Sequence, residues 1–142
     1  MTIRLMTIDD YDDVYALWAS LPGIGLHGYE DSHEGMDYYL RRNPASCFVA
    51  ESGGEIVGAV LCGNDGRRGY INHLAVAQQH QSKGIGKALL NACLAAMREE
   101  KITKCAIAVF RNNDAGNAFW DSMGITRREE VVHCTLSTEE KS

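Results

Sequence analysis

The sequence predicts a mixed α/β (α+β) domain whose mostly antiparallel central sheet is flanked by about four helices. Segments that alternate apolar and polar residues, separated by glycine-containing turns, predict a meander of antiparallel strands. Apolar residues at helical spacing predict the helices, and a strand–helix–strand passage in the second half predicts one parallel crossover. Because 142 residues are too few for two well-packed units, we expect one domain over 1–142, with a flexible tail over 137–142.

The N-terminal elements are a short strand and two helices. Residues 3–6 alternate and predict the strand. The first helix is expected because apolar residues recur at helical spacing, at Tyr11, Val14, Leu17 and Trp18. A second helix is predicted over 32–42, since the residue before Pro44 is pushed out of helical geometry.

A three-stranded meander follows. Its strands are predicted over 47–50, 55–62 and 70–76. The turns between them carry Gly53-Gly54 and Asn64-Asp65-Gly66, which are typical turn residues.

The second half alternates helices and strands. A helix from about 84 to 100 has one apolar face. A strand over 104–110 is apolar on both faces, so we expect it at the centre of the sheet. A short helix over 115–123 and two strands near 126–129 and 131–136 complete the order.

Composition excludes several classes of function. The formal charge of −5 gives no reason to expect a nucleic-acid partner and mildly favours cationic substrates. The five cysteines are odd in number and include no Cys-x-x-Cys pair, so we expect neither a disulfide framework nor a metal site. No apolar run is long enough to span a membrane, and the first ten residues do not resemble a signal peptide. We therefore expect a cytoplasmic protein without a membrane partner.

The chemistry is expected at the turn between the last meander strand and the next helix. The strand ends with Leu74-Ala75-Val76, and the turn carries Gln81-Ser82-Lys83-Gly84-Ile85-Gly86-Lys87. Helix starts leave backbone N–H groups unpaired, and glycines let an anion approach them. The spacing of a P-loop is missing, and Leu89 stands where a dinucleotide site needs a third glycine. From these residues alone, an anion site and a plain strand-to-helix turn both remain open.

Gln81-x-x-Gly84-x-Gly86 resembles the Q/R-x-x-G-x-G/A pyrophosphate motif of the GNAT superfamily of N-acetyltransferases. Leu74-Ala75-Val76 resembles the strand end that precedes this motif in the family. Residues 113–125 are similar in spacing to the family's downstream N-x-x-A-x-x-x-Y-x-x-x-G-F segment. The element order fits the GNAT acyl-CoA N-acyltransferase fold over nearly the whole chain. Within the family the chain is similar to small single-domain bacterial members, the YpeA-like and ribosomal-protein alanine acetyltransferase groups.

The resemblance implies acetyl-CoA as co-substrate and assigns binding roles. Backbone N–H groups from residues 81 to 87 should hold the pyrophosphate, and Leu74 and Val76 should pair with the pantetheine arm. An N–H near Leu74 or Ala75 should polarise the thioester carbonyl. Further contacts to the arm and its thioester end are expected from Asn113, Phe119 and Trp120.

Two positions depart from the family pattern. Trp120 stands where the family often has a tyrosine that protonates the leaving thiolate, and Ala108 stands where the ribosomal-protein enzymes carry a glutamate base. Two replacement bases are candidates, His73, whose ordinary pKa suits the role, and Tyr70. In a regular strand, Tyr70 and Asn72 point to the face opposite His73, and a bulge would change this.

The segment from Gly23 to Tyr39 should form one wall of the acceptor pocket, by analogy with the family. Tyr29, Glu30 and Glu34 are its candidate contacts to a cationic amine, although each also fits a solvated surface. The predicted function is acetyl transfer to a primary amine, by direct attack in a ternary complex. A non-catalytic acyl-CoA sensor or partner module is the alternative, and transfer of a longer acyl group is also open. Monomer and homodimer both remain open.

Overall fold

The computed structural model describes residues 1–26 and 28–140. Its five-stranded sheet has the order β1-β2-β3-β4-β5, with every neighbouring pair antiparallel except β4 and β5, which are parallel. The strands are β1 (Thr2–Leu5), β2 (Phe48–Ser52), β3 (Glu55–Asn64), β4 (Gly69–Val76) and β5 (Cys105–Ile107). The predicted mixed fold with a mostly antiparallel sheet is confirmed.

Four α-helices flank the sheet, as predicted: α1 (Tyr11–Ala19), α2 (His33–Arg42), α3 (Ile85–Glu99) and α4 (Asp114–Ser122). Side chains fix two of the starts, because Ser32 Oγ accepts from the Gly35 N–H at 3.1 Å and Asn113 Oδ1 accepts from the Gly116 N–H at 3.0 Å. Among the described residues, no helix has both the length and the apolar character needed to cross a bilayer.

The sheet separates two apolar cores. One core lies against α1 and α2 and centres on the fully buried Trp18. The other lies against α3, whose Leu89 and Cys93 are fully buried, and α4 contributes Trp120 to it. Burying apolar residues on both faces fixes the position of β4, and with it the strand end that leads into α3.

β5 is an edge strand, so the prediction that it lies at the centre of the sheet is wrong. Within the described residues it pairs only with β4, through Gly69–Ile71. Cys105 and Ile107 are half-buried, whereas Ala106 and Ala108 are exposed. The apolar run over 104–110 suggests a strand buried on both faces because its alanines count as apolar. Alanine tolerates exposure, and here exposed alanines alternate with half-buried residues, which is the pattern of an edge strand.

The two strands predicted near 126–129 and 131–136 are also wrong, since residues 126–136 form no strand. A turn forms between them, in which the Val131 N–H donates to the Arg128 carbonyl at 3.2 Å. The residues before this turn, Thr126 to Glu129, have no apolar side chain to bury. An isolated hairpin without an apolar face is only marginally stable in water. The tail predicted over 137–142 is exposed as far as residue 140, and its last two residues lie outside the described part.

Candidate functional site

A β-bulge interrupts β4 at His73 and Leu74. β3 pairs Ala59 with Ala75 and Leu61 with Asn72, so two residues of β4 stand opposite one residue of β3. His73 adopts a left-handed φ of 51°, which is uncommon for a residue with a side chain. Strain of this kind persists where the surrounding structure fixes it, and it occurs often at functional sites.

The bulge changes which side chains share a face of β4. Ile71 packs in the core beneath α3 and Ala75 in the core beneath α1 and α2, although a regular strand would place both on one face. Tyr70 and Asn72 are the sequence neighbours of Ile71, so their side chains point to the opposite face of the sheet, which packs on α1 and α2. His73 lies two residues before Ala75 and therefore shares the face of Ala75, which is the same α1–α2 face. The arrangement expected for a regular strand, with Tyr70 and Asn72 pointing away from His73, therefore does not apply, because the bulge changes it.

His73 is held by contacts from two other elements. The Trp18 indole Nε1–H donates to the His73 carbonyl at 3.0 Å, and the two rings meet edge to face with centroids 4.8 Å apart. His73 Nε2 lies 3.0 Å from Oδ1 of Asp31, whose side chain is only 7% exposed. The Tyr11 hydroxyl donates to the Asp31 carbonyl at 2.6 Å, which fixes the backbone that carries this carboxylate.

We expect Trp18→Phe to destabilise the fold by about 1–3 kcal/mol beyond its loss of packing, because it leaves the His73 carbonyl without its donor. Trp120→Phe is the matched control, since Trp120 is also buried, at 6% exposed, but no hydrogen bond of its indole occurs among the described residues. Urea unfolding followed by circular dichroism measures both variants. Equal shifts of the midpoint would show that the indole bond to the bulge contributes nothing.

A cavity of about 240 Å³ opens beside this pair. Its lining is Tyr11, Tyr15, Leu26, Gly28, Asp31 and Ser32. Burial and, after it, the nearby Tyr15 and Asp31 raise the pKa of the Tyr11 phenol, so this phenol stays uncharged at neutral pH. Asp31 thus connects the cavity to His73.

The predicted acceptor contacts lie close to this cavity but outside its lining. Tyr29 is 62% exposed, and Glu30 and Glu34 are exposed as well. Tyr11 and Tyr15 line the cavity instead, and sequence reasoning assigned them no role there. Their spacing of one helical turn was a usable signal, because it places two phenols on the same face of α1.

The turn after β4 has the geometry of an anion cradle. Ser82 and Gly84 both have left-handed backbones, with φ of 65° and 84°. The first backbone hydrogen bond within α3 runs from the Ala88 N–H to the Gly84 carbonyl. The N–H groups of residues 85–87 therefore have no acceptor within the helix. Among the described residues no side chain caps this helix start. Uncapped N–H groups beside left-handed residues suit a bound anion.

The side chain of Gln81 joins the turn to the strand. Its Nε2 donates to the Val76 carbonyl at 3.0 Å, which ties the start of the turn to the end of β4. Lys83 and Lys87 are exposed on either side of Gly84 and add positive charge around the turn. Gln81 therefore holds the loop in shape with its side chain, a role the motif alone does not specify.

One edge of β4 is open just before this turn. β5 pairs only with Gly69–Ile71, so among the described residues Asn72–Val76 has no neighbouring strand on that side. An open edge of backbone N–H and C=O groups can pair with an extended ligand. This open edge includes Leu74, Ala75 and Val76 and leads directly to the cradle.

α4 packs against the first turn of α3. A Cβ on Gly86 would lie 3.1 Å from Cε1 of Phe119, so the absence of a side chain at Gly86 allows this approach. Trp120 is buried beside Phe119, with ring centroids 5.1 Å apart. Asn113 caps α4 and lies against Gly23, where an added Cβ would come within 2.5 Å of its Nδ2. The described residues include no cluster of His, Cys, Asp or Glu suited to a metal.

Known proteins resemble this chain along most of its length. An acetyltransferase from Pectobacterium atrosepticum is 32% identical over 134 residues, covering 94% of this chain and 91% of that protein. Ard1 from Thermoplasma volcanium matches with a TM-score of 0.75 at 26% identity, over 87% of this chain and 80% of that one. The PaiA N-acetyltransferase from Thermoplasma acidophilum, solved with coenzyme A, matches with a TM-score of 0.75 at 17% identity, over 91% and 92%.

The profile of the acetyltransferase (GNAT) family matches residues 11–125, from the first residue of α1 to just beyond α4. That span includes the bulged strand, the uncapped turn and the helix packed against it. The chain therefore belongs to the GNAT family of acyl-CoA-dependent N-acetyltransferases.

Proposed function

We propose that the chain transfers the acetyl group of acetyl-CoA to a primary amine, in a small molecule, a protein N-terminus or a lysine. The observation that carries this proposal is the open edge of β4, which is followed, after the turn of residues 77–84, by the uncapped start of α3. A diphosphate at the turn and an extended arm along the strand would use both features at once. The coenzyme A bound in the PaiA structure supports the same ligand here.

The residues at the turn fit that ligand. An added Cβ at Gly84 would meet no atom within 4 Å, so the space above this left-handed residue is open for a phosphate. The expectation that the N–H groups of residues 81–87 all face the ligand is wrong at its first member, because the Gln81 N–H donates to the Gln78 carbonyl at 3.3 Å. Backbone N–H groups of residues 82–87, together with Lys83 and Lys87, would hold the diphosphate. Leu74 and Val76 would pair with the arm, and Asn113, Phe119 and Trp120 would line the far side of the arm and its thioester end.

The reaction needs positioning, a base and carbonyl polarisation. Acetyl-CoA supplies an acyl group that is already activated as a thioester. The amine nitrogen attacks the thioester carbon in a ternary complex, the C–S bond breaks, and the thiolate leaves with the electron pair. We assign proton removal to His73, which lies between the open edge and the cavity, and carbonyl polarisation to a backbone N–H at Leu74 or Ala75. Holding both reactants together supplies much of the rate.

The charge around the cavity favours a cationic acceptor. Residues 5–40 contain eight of the chain's 19 carboxylates and none of its 14 lysines and arginines. This segment includes α1 and most of α2, and Asp31 lines the cavity itself. A local negative field raises the concentration of cations at the cavity mouth. Tyr29, Glu30 and Glu34 lie on this exposed acidic surface and would contact parts of the acceptor outside the cavity.

We expect the KM of a polycationic amine to rise about three- to tenfold between low and high salt, because added ions screen the acidic surface. The measurement is steady-state kinetics at saturating acetyl-CoA, so that weaker coenzyme binding does not contribute. A weakly basic, uncharged amine is the control, and its KM should stay constant. A KM for the polycation that is independent of salt would contradict an electrostatic role for residues 5–40.

Binding and turnover test the proposed function separately. Calorimetry with acetyl-CoA tests the turn, and release of free thiol with a panel of polyamines, lysine, peptides and amino sugars tests transfer. We expect micromolar-range binding, and thiol release that depends on the amine. Absence of binding would overturn the proposal. Binding without turnover across the panel would favour the acyl-CoA sensor, which does not need a histidine held beside a cavity.

A further inference from the structure

We infer that Asp31 is a positioning residue that fixes His73 in the Nε2–H tautomer, so that Nδ1 takes the proton from the acceptor amine. This inference rests on the proposed function and adds the atom that acts and the residue that orients it. The sequence motifs mark neither residue, and the juxtaposition arises from the bulge in β4.

The contact between the two side chains fixes the tautomer. A carboxylate has only acceptor oxygens, so a ring nitrogen 3.0 Å from Asp31 Oδ1 must carry the hydrogen. That nitrogen is Nε2, which leaves the lone pair of the neutral ring on Nδ1. The bond from the Tyr11 hydroxyl to the Asp31 carbonyl and the bond from Trp18 to the His73 carbonyl hold both backbones in place.

Nδ1 is open to a reactant. Among the described residues, every buried side-chain nitrogen or oxygen has a hydrogen-bond partner. The hydrogen bond of the His73 ring within this part of the chain uses Nε2, so Nδ1 is not a buried atom. The His73 side chain is 21% exposed, against 7% for Asp31. The ring therefore has one nitrogen engaged inside the protein and one directed to accessible space.

The other titratable groups near the ring do not compete for this role. Tyr11 on α1 bonds the Asp31 carbonyl and Tyr39 lies on α2, and burial raises the pKa of both phenols. On β3 the residue opposite the bulge is Val60, which does not titrate. Asp31 is thus the group that stabilises an imidazolium at His73.

The proton and the charge balance in this step. Nδ1 takes one proton from the ammonium form of the acceptor, the ring becomes an imidazolium, and the freed lone pair of the nitrogen attacks the acyl carbon. The second proton that the nitrogen must lose passes to water as the amide forms. The carboxylate of Asp31 faces the new positive charge. The thiolate carries the electron pair of the broken C–S bond into solvent, and loss of the Nδ1 proton to water restores the base.

Asp31→Asn tests the inference by removing the charge while keeping the shape. We expect kcat to fall about 10- to 1,000-fold with the KM for acetyl-CoA unchanged. Without the carboxylate the imidazolium loses the negative charge that faces it, so the acidic limb of the kcat profile should move to lower pH. Asp31→Glu should recover part of the limb. Glu99→Gln, an exposed carboxylate at the end of α3 with the same charge change, is the matched control and should leave the limb in place.

A measurement without substrate keeps the inference testable if a variant folds poorly or turns over slowly. The side-chain ¹⁵N resonances of His73 in the wild-type protein should show hydrogen on Nε2 and none on Nδ1. Hydrogen on Nδ1, or an unmoved pH limb in a folded Asp31→Asn protein, would overturn the inference while acetyl-CoA binding and wild-type turnover leave the proposed function intact.

Discussion

Replacing Gly84 with valine should weaken acetyl-CoA binding by about 100-fold or more and leave the domain folded. Gly84 has a φ of 84°, where a β-branched residue costs about 1–3 kcal/mol. The turn can relieve that strain only by rotating this residue, which turns the N–H groups at the start of α3 away from the ligand. Each hydrogen bond to a charged group contributes about 1.5–3 kcal/mol, so losing two accounts for the expected factor.

Gly66→Val is the matched control for this substitution. Gly66 has a φ of 88°, an added Cβ there also meets nothing within 4 Å, and it lies in the turn between β3 and β4, at the opposite end of β4 from the cradle. The two variants should lose similar stability in thermal unfolding, but only Gly84→Val should lose binding in calorimetry. Normal binding by a folded Gly84→Val protein would refute the anion cradle.

The sequence allowed the local elements to be predicted well wherever side-chain chemistry acts within a few residues. Ser32 starts α2 through a bond to the N–H three residues on, and Pro44 limits the end of that helix. The motif at residues 81–86 also indicated the turn, because an uncapped helix start with glycines depends on contiguous residues. Short-range rules were sufficient for these features.

Non-local features were not predictable from the same patterns. The bulge at His73 depends on a register shift against β3, which no periodicity of β4 alone reveals. The cavity likewise combines α1 with the loop before α2, so Tyr11 looked like a core residue in the sequence. The strands expected beyond residue 125 do not form. The first of them, residues 126–129, has no apolar side chain that could pack on the core.

Replacing His73 with asparagine should lower kcat/KM for the amine by about 10²–10⁴ while leaving acetyl-CoA binding unchanged, because proton removal by a positioned base contributes a factor of that size. Asparagine is the informative choice. His73 has a φ of 51°, and asparagine tolerates the left-handed region far better than alanine does. The bulge and the bond from Trp18 to the carbonyl should survive, so the change removes the ring and little else.

The pH profile separates the two candidate bases. With His73 acting, the wild-type rate rises as the imidazolium loses its proton, and His73→Asn abolishes this limb. His133→Gln, an exposed histidine outside the site, should keep the limb. Tyr70 is 44% exposed on the same face of β4, and Tyr70→Phe asks whether its phenol acts instead. If the His73→Asn protein keeps the rise of the rate with pH and the Tyr70→Phe protein loses most of its activity, the base is Tyr70. The bond between His73 and Asp31 would then be part of the support for the bulge, with no proton-transfer role.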